Sequence, residues 1–292
     1  MLFGKTSNAE TIFRAFNSCF LVIIAFLMIY PFWELLIVSI SPAVEASKTG
    51  LKLIPRGFTL EAYRTVFESK TIGYGYFNSI FRTVVGTSIT VFLCFCTAYP
   101  LAKKMLPARN AFTIYYLIPM FFGGGLIPNF LLIKSLGLLD TIWALIIPSL
   151  LSTFQILIMR NFIMSIPESL EESALVDGAS FFMILLRIII PLSMPIFATI
   201  ALWEAVGHWN AWFDAMIYTR SNHNVVLQLL LRRVLIEHNN EGITDSLQGD
   251  EGIITKTMEA ATVLVTIGPV VLMYPFLQKY FIKGVLVGSL KG

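Results

Sequence analysis

Long apolar stretches alternate with short polar segments along this chain. Six intervals contain no Asp, Glu, Lys or Arg, and five of them are at least 19 residues long. A helix needs roughly 20 mostly apolar residues to cross a bilayer. The pattern therefore predicts an all-α polytopic membrane protein, a single domain over residues 1–292, with six transmembrane helices. Their expected positions are about residues 14–40, 79–102, 110–132, 141–160, 189–217 and 259–280.

Details within three spans refine this prediction. The charge-free interval of the fifth span ends at Glu204, but apolar residues continue as far as Ile217. The third span contains Gly123–Gly125 and Pro128, and such residues end or bend a helix. The first span is longer than the 7–15 apolar residues of a signal peptide, so we interpret it as an uncleaved anchor.

The composition agrees with a membrane protein. Hydrophobic residues make up 56% of the 292, and only 13% are charged. The mean hydropathy is +0.75, and soluble domains carry roughly 25% charged residues. A net charge of +3 is too small to indicate nucleic-acid binding. The three cysteines all lie in apolar stretches, where we expect them to pack rather than to form disulfides or bind metal.

The short loop between the second and third spans predicts the orientation. Residues 103–109 contain three basic residues and no acid, which is typical of a cytoplasmic loop. Counting spans from there places both termini and the loop 161–190 in the cytoplasm, for a multi-pass protein of the plasma (inner) membrane. The outer segments 42–76 and 218–258 also contain Lys and Arg, but they are longer and carry acids as well.

The loop 161–190 is a polar stretch with its own helical pattern. Ser165-Ile-Pro-Glu168 has the spacing of a capped helix start. Gly178 interrupts the following helix and permits a sharp bend. Periodicity alone is equally compatible with an amphipathic helix that only links two spans along the membrane surface.

The spacing within this loop resembles a known motif. Glu172-Ser-Ala174, then Gly178, then Ile188-Ile-Ile-Pro191 is similar to the EAA loop of ATP-binding-cassette (ABC) importer permeases. That pattern is E-A-A, three residues, G, nine residues and I-x-L-P; here Ser173 replaces the first Ala and Ile190 replaces Leu. Four further stretches resemble the carbohydrate-importer branch, and within it the second permease of complex-carbohydrate systems such as the alginate type. They are Phe58–Tyr63, Gly137–Thr141, Trp209-Asn210 and Lys279–Gly284.

The resemblance implies a type I importer fold and a role in carbohydrate import. The cargo would be an oligosaccharide derived from a polysaccharide, with alginate as one candidate. It also implies a second homologous permease, two ATPase subunits that bind ATP and Mg²⁺, an extracytoplasmic solute-binding protein and membrane lipid as partners. This chain would hold no cofactor and would not be an enzyme. The residues expected to couple it to the ATPases are Glu172, Ser173, Ala174, Asp177, Gly178, Ile188 and Pro191.

The fifth span also carries the candidates for the substrate path. Polar groups in a span usually face the bundle interior or a water-filled cavity, and aromatic rings suit the apolar faces of sugars. The candidates are Trp203, Glu204, His208, Trp209 and Asn210. The tryptophans could instead form an interfacial belt. Glu204 and His208, four residues apart, could instead form a buried pair that holds helices together.

Two other function classes remain to be weighed. A proton-coupled secondary transporter could use Glu204 and His208 as a relay, although it leaves the EAA pattern unexplained. A membrane enzyme has little support, since the three histidines are scattered and no catalytic constellation is evident. Gly123–Gly125 lacks the Lys-Ser/Thr that follows in a phosphate-binding loop, so we do not expect this chain to bind ATP.

Overall fold

A computed structural model describes residues 8–237, 256–269 and 271 of the chain. Within these ranges, all regular secondary structure is helical. The chain forms two compact units. The first comprises Met1–Ser69 and Val234–Ile267, and the second comprises Lys70–Arg233 and Gly268–Gly292.

The first unit is built on one long apolar helix. This helix, α1, spans Asn8–Ser39 and is long and apolar enough to cross a membrane. Most of its side chains are exposed, as expected for a helix surrounded by lipid. Two short helices follow, α2 (Ala43–Ala46) and α3 (Glu61–Glu68). Residues 256–269 of this region are also helical.

The segment after α1 folds back onto the end of that helix. The Thr59 N–H donates a hydrogen bond to the Ile40 carbonyl at 2.8 Å. The hydroxyls of Ser39 and Tyr63 lie 2.8 Å apart. These bonds fix α3 beside the carboxyl end of α1.

The second unit contains the helices that position the candidate site. In chain order they are α4 (Lys70–Ala102), α5 (Arg109–Phe121), α6 (Leu126–Ser135), α7 (Thr153–Met164), α8 (Glu168–Val176), α9 (Phe181–Ile184), α10 (Ile190–Asn210) and α11 (Phe213–Tyr218). The following helix, α12 (Leu227–Glu237), crosses the boundary between the two units. Two short 3₁₀ turns, Ile142–Leu145 and Ile147–Ser149, precede α7.

Two pairs of these elements are bent. The axes of α5 and α6 differ by 110°, and α7 is bent by 49° from the 3₁₀ segment Ile142–Ser149. The first bend lies at the three glycines 123–125, where Gly125 has φ +84°. Only glycine adopts such a conformation without strain. The predicted interruption of the third apolar interval is therefore confirmed at Gly123–Gly125.

One long helix runs from the polar loop into the fifth predicted span. Residues Phe181–Asn210 are continuous, with a π-helical turn at Leu185–Ile189 between α9 and α10. Pro191 and Pro195 follow this turn. Proline removes an N–H from the helical ladder, so a change of hydrogen-bond register just before it relieves unpaired carbonyls. The helix ends at Asn210, and a short break precedes α11.

Two hydrophobic cores lie in the second unit. The first joins α4, α7, α9 and α10 through a set of fully or largely buried side chains: Cys94, Phe95, Ala98, Leu101, Ala102, Ile156, Met159, Ile163, Ile184, Ile189, Ile196 and Ile200. The second joins α6, α11 and the start of α12 through Ile133, Ala144, Leu145, Ala215, Tyr218, Val225, Val226, Leu229 and Leu230.

A carboxylate fixes the segment between α11 and α12. Asp140, at φ +56°, accepts hydrogen bonds from the N–H groups of Arg220 at 2.9 Å and Ser221 at 3.0 Å. These bonds lower the pKa of the Asp140 carboxyl. Asn78 of α4 donates to the carbonyls of His223 and Val225 at 2.6 and 2.8 Å. The segment is therefore attached both to α4 and to the turn that follows α6.

The structure supports part of the predicted span count. In the described ranges, three helices are long and apolar enough to cross a membrane, and two bent pairs would raise that number to five. These elements overlap the first five predicted spans, although the helix of the fifth ends at Asn210 rather than at Ile217. The sixth predicted span, residues 259–280, begins in the helix 256–269, and most of the remainder lies outside the described residues. The count of six stays a prediction.

Candidate functional site

The polar loop forms a short helix whose start differs from the sequence prediction. α8 begins at Glu168 with Pro167 at the N-cap, and no side chain caps it. Ser165 instead ends α7, where its hydroxyl donates to the Phe162 carbonyl at 2.7 Å. The predicted Ser165 cap is therefore wrong. Proline at the N-cap leaves the first N–H groups of α8 without a side-chain partner, and the nearby acids, Glu168 and Glu171, complement the helix dipole.

The end of α8 is a glycine turn. Gly178 has φ +80°, and its N–H donates to Leu175 at 3.0 Å. The Ala179 N–H donates to the Ala174 carbonyl at 2.9 Å. This pair of bonds is a Schellman motif, which requires a left-handed residue directly after the cap. Ser180 then caps α9 by accepting from the Met183 N–H at 3.3 Å, so the bend predicted at Gly178 has a defined geometry.

Ion pairs connect α8 to the basic loop between α4 and α5. Lys103 pairs with Glu171, and Lys104 lies 2.9 Å from Glu168. The Lys103 ammonium also lies 4.7 Å above the centre of the Tyr99 ring. The basic loop 103–109, from which we predicted the orientation in the membrane, therefore also holds the first turn of α8. No local pattern predicts this pairing, because the partners are 64 and 68 residues apart.

The remaining face of α8 is open. The Glu172 side chain is exposed and forms no ion pair or hydrogen bond with any residue in the described ranges. Ser173 and Asp177 are also exposed, whereas Ala174 is half-buried against the first core. Three large apolar side chains near the glycine turn are strongly exposed: Val176, Phe181 and Phe182. An acidic group beside exposed apolar side chains is typical of a surface that binds another protein.

The other two predicted coupling residues lie beyond the turn. Ile188 is half-buried against the first core, inside the π-helical turn. Pro191 is exposed in the first turn of α10. The structure therefore brings five of the predicted coupling residues together on one short helix and its turn: Glu172, Ser173, Ala174, Asp177 and Gly178. Ile188 and Pro191 lie in the helix that continues into the fifth span.

A buried polar network lies at the other end of α10. Arg82 of α4 is almost fully buried. Its Nε donates to His208 Nδ1 at 3.2 Å, and its two terminal nitrogens bind the carboxylate of Asp214. It also lies 3.4 Å from the carbonyl of Ala211. That carbonyl belongs to the break between α10 and α11, so Arg82 satisfies a group that the interrupted helix leaves free.

Glu204 extends the network toward α7. The Gln155 amide donates to one Glu204 oxygen, and the other lies 3.5 Å from His208 Nε2. Gly86 of α4 faces the same imidazole. A Cβ at this position would lie only 2.9 Å from two ring carbons of His208, so only glycine allows α4 and α10 to approach this closely.

The five candidate path residues occupy different environments. His208 and Trp209 are buried and Glu204 is partly buried. Trp203 is exposed and stacks on Phe154 with ring centres 6.1 Å apart, and Asn210 is exposed at the last position of α10. His208 contacts α4 through Arg82 and Glu204 contacts α7 through Gln155, whereas the two side chains lie 3.5 Å apart within α10.

The sequence analysis did not place Arg82 or Gln155 in this network. Arg82 directly precedes a charge-free interval, and we used it only to mark where that interval begins. Gln155 is uncharged and lies within an apolar stretch. The available signal was that a polar or charged residue in a span almost always faces a partner.

Known proteins that resemble the chain are transport proteins. No protein-family model matches it. It is 39% identical to Protein LplC of Bacillus subtilis strain 168, over 98% of the chain and 97% of the relative. It is 38% identical to the polygalacturonan/rhamnogalacturonan transport system permease protein YtcP of the same organism, over 94% and 96%.

A solved structure extends this similarity to the fold. It is a crystal structure of a bacterial ABC transporter involved in the import of the acidic polysaccharide alginate. The match has a TM-score of 0.86 and 33% identity, and it covers 95% of this chain and 99% of the other.

Proposed function

Because the chain belongs to the family of ABC-transporter permeases for sugars, we propose that it is the membrane subunit of an ATP-driven oligosaccharide importer. In this proposal it forms the translocation path with a second permease. Two ATPase subunits bind its cytoplasmic face, and an extracytoplasmic solute-binding protein delivers the cargo. ATP and Mg²⁺ belong to the ATPase subunits.

The open face of α8 carries this proposal. One side of the helix is held by Lys103 and Lys104, while Glu172 is exposed and unpaired within the described ranges. In the proposed complex, Glu172 meets basic groups of the ATPase, and Ala174 permits close approach. The exposed side chains of Phe181 and Phe182 would be covered by the same partner.

The connection from α8 to the fifth span supports a mechanical role. The Gly178 turn and the Ser180 cap join α8 to the next helix, which runs without interruption over Phe181–Asn210. When the ATPases close on ATP, they would displace α8, and this joint would transmit the displacement to α10. The spans would then move between inward-open and outward-open states.

The proposed cargo is an oligosaccharide from an acidic polysaccharide. The names of YtcP and of the solved alginate transporter both refer to such polymers. The proposed substrate path runs along α10. Trp203 and Asn210 are its accessible members, whereas Glu204, His208 and Trp209 would act mainly by keeping α10 in position.

Reconstitution tests the proposal. The complete complex in vesicles should take up oligosaccharide only with ATP, and uptake should continue when an ionophore collapses the proton gradient. Loss of ATP-dependent uptake on adding the ionophore would favour the proton-coupled alternative. The cargo is tested separately by thermal-shift screening of the copurifying binding protein with oligouronates and neutral oligosaccharides. Binding of peptides alone would contradict a carbohydrate importer.

A further inference from the structure

An arginine without a counter-ion lies just beyond the end of α10. The Arg232 guanidinium of α12 stacks on the Trp212 ring, with its central carbon 3.5 Å from the ring centre. Trp212 directly precedes α11 and is partly buried against the second core. Arg232 is exposed, and its side chain forms no ion pair or hydrogen bond with any residue that the structure describes. The ring therefore orients a guanidinium whose N–H groups are accessible to a ligand.

The acids near Arg232 in the chain do not neutralise it. Residues 215–236 contain three arginines and no Asp or Glu. Asp214 is the acid nearest to Trp212 in sequence, and its carboxylate already binds Arg82. Basic residues are typical of cytoplasmic loops, but this segment follows the fifth span on the predicted outer side. Within the described ranges, the charge of Arg232 is therefore available to an anion that arrives from outside.

The groups around Arg232 suit a sugar that carries a carboxylate. A guanidinium binds a carboxylate through two parallel hydrogen bonds, a geometry that a neutral hydroxyl does not provide. Asn210 is exposed at the last position of α10, two residues before Trp212. Its side-chain amide can both donate to and accept from hydroxyl groups. A uronate unit presents a carboxylate and hydroxyl groups on one ring, so it matches both side chains.

We propose that Arg232 binds the carboxylate of a uronate unit where the oligosaccharide enters the path along α10. Trp212 is a positioning residue that keeps the guanidinium in place, and Asn210 contacts the sugar hydroxyls. The permease itself thereby favours acidic over neutral oligosaccharides, in addition to any selection by the solute-binding protein. This inference rests on the proposed function, since it requires an oligosaccharide cargo that passes along α10.

Sugar binding to the assembled complex of permeases and ATPases tests the site, with the solute-binding protein left out so that its own sugar site is absent. A galacturonate trisaccharide and the galactose trisaccharide obtained by reducing its carboxylates are titrated separately at millimolar concentration by saturation-transfer NMR. Arg232→Gln should lower the galacturonate affinity about tenfold, as expected for the loss of a charge-assisted hydrogen-bonded pair. The galactose affinity should stay unchanged in this variant.

Three further variants sharpen the result. Arg232→Lys should retain only part of the galacturonate affinity, because an ammonium group cannot form the paired hydrogen bonds. Trp212→Leu keeps the charge but removes the ring beneath it, so the galacturonate affinity should fall by a smaller factor than in Arg232→Gln. Arg220→Gln removes an exposed arginine of the same acid-free segment and is the matched control, for which both affinities should equal those of the parent.

Equal galacturonate affinity in Arg232→Gln and the parent would overturn the inference, as would a parent complex that does not bind galacturonate. An equal loss of galactose affinity in Arg232→Gln would also overturn it, because Arg232 would then support the fold and not read the carboxylate. Unchanged sugar binding with weaker docking of the unliganded solute-binding protein would identify a protein contact instead. ATP-dependent oligosaccharide uptake by the parent in vesicles keeps the proposed function intact in each of these cases, whereas its absence would contradict that function itself.

Discussion

Two groups of opposite charges stabilise the second unit, and they differ in their access to water. At α8, the side chains of Lys104 and Glu168 are 74% and 64% exposed. In the bundle, the side chain of Arg82 is only 3% exposed and that of Asp214 is 29% exposed. The charged side chains at α8 can replace their ion-pair partner by water or by another protein. Arg82 is buried and cannot do so. An ion pair can therefore be broken and replaced at the surface, whereas in the bundle it must stay intact.

This difference has an energetic consequence. Exposed ion pairs contribute roughly 0–1 kcal/mol, because water screens the charges and long side chains lose entropy. Removing one partner of a buried pair costs about 3–5 kcal/mol, because the other charge stays buried without compensation. Substitutions in the two regions should therefore differ in both size and kind.

The largest effect is expected at Arg82. Arg82→Met leaves Asp214 without its basic partner and the Ala211 carbonyl without a donor. The complex should lose up to about 3–5 kcal/mol of stability, because Asp214 keeps part of its hydration, and the loss is measured as a lower midpoint in detergent thermal unfolding. Asp214→Asn in the same chain should restore part of the loss. An unchanged midpoint in Arg82→Met would show that the buried network is not a fixed joint.

A smaller loss is expected at Gly86, which tests the packing around the same network. Gly86→Ala introduces a Cβ against the His208 ring, and such overpacking costs about 1–3 kcal/mol. Because the clash involves one side chain, His208→Ala should cost less in the Gly86→Ala background than in the parent. Additive losses in a double-mutant cycle would contradict this close approach. Gly207→Ala, where a Cβ meets no atom within 4 Å, is the matched control.

These two predictions concern a region that the sequence described only in part. The candidates Glu204 and His208 were found because they are polar residues in an apolar span. Arg82 and Gly86 were not found, because their role depends on which helix packs against α10. Residues 82 and 214 are 132 positions apart, and no local pattern connects them. Side-chain pairing between distant helices is a property of the packed bundle.

An effect on coupling rather than folding is expected at Gly178. Gly178→Val forces a β-branched residue to φ +80°, with a strain of about 1–2 kcal/mol or more. A Cβ at this position meets no atom within 4 Å, so the strain would be local to the turn. Uptake per ATP hydrolysed should fall in vesicles while the assembled complex persists. Gly178→Asn should retain more coupling, because asparagine tolerates this conformation. Normal uptake per ATP in Gly178→Val would contradict the proposed joint.

The smallest effects are expected at the two lysines. Lys103→Gln should reduce stability more than Lys104→Gln, because the Lys103–Glu171 pair is less exposed and Lys103 also contacts the Tyr99 ring. Both losses should be at most about 1 kcal/mol. Raising the salt concentration should lower the unfolding midpoint of the parent toward that of the Lys104→Gln variant. A Lys104→Gln loss as large as that of Arg82→Met would remove the distinction between the two regions.

The polar loop was the more predictable region. Spacing within one 26-residue stretch predicted the bend at Gly178 and the helix that follows, because caps and turns depend on neighbours in sequence. The start of α8 shows the limit of that reasoning. Ser165 had the correct spacing for a cap, but its hydroxyl binds the Phe162 carbonyl at the end of α7. The preceding helix competes for the same side chain, and the pattern alone does not reveal which one it caps.

The burial of Arg82 has a consequence for how the protein is made. Its partner Asp214 is synthesised 132 residues later, and a ribosome adds roughly 5–20 residues per second. For about ten seconds, the nascent second span therefore carries an arginine whose carboxylate does not yet exist. An arginine in an isolated membrane helix is unfavourable by a few kcal/mol. The nascent chain must accommodate this charge until the fifth span arrives, by contact with water, lipid headgroups or the insertion machinery.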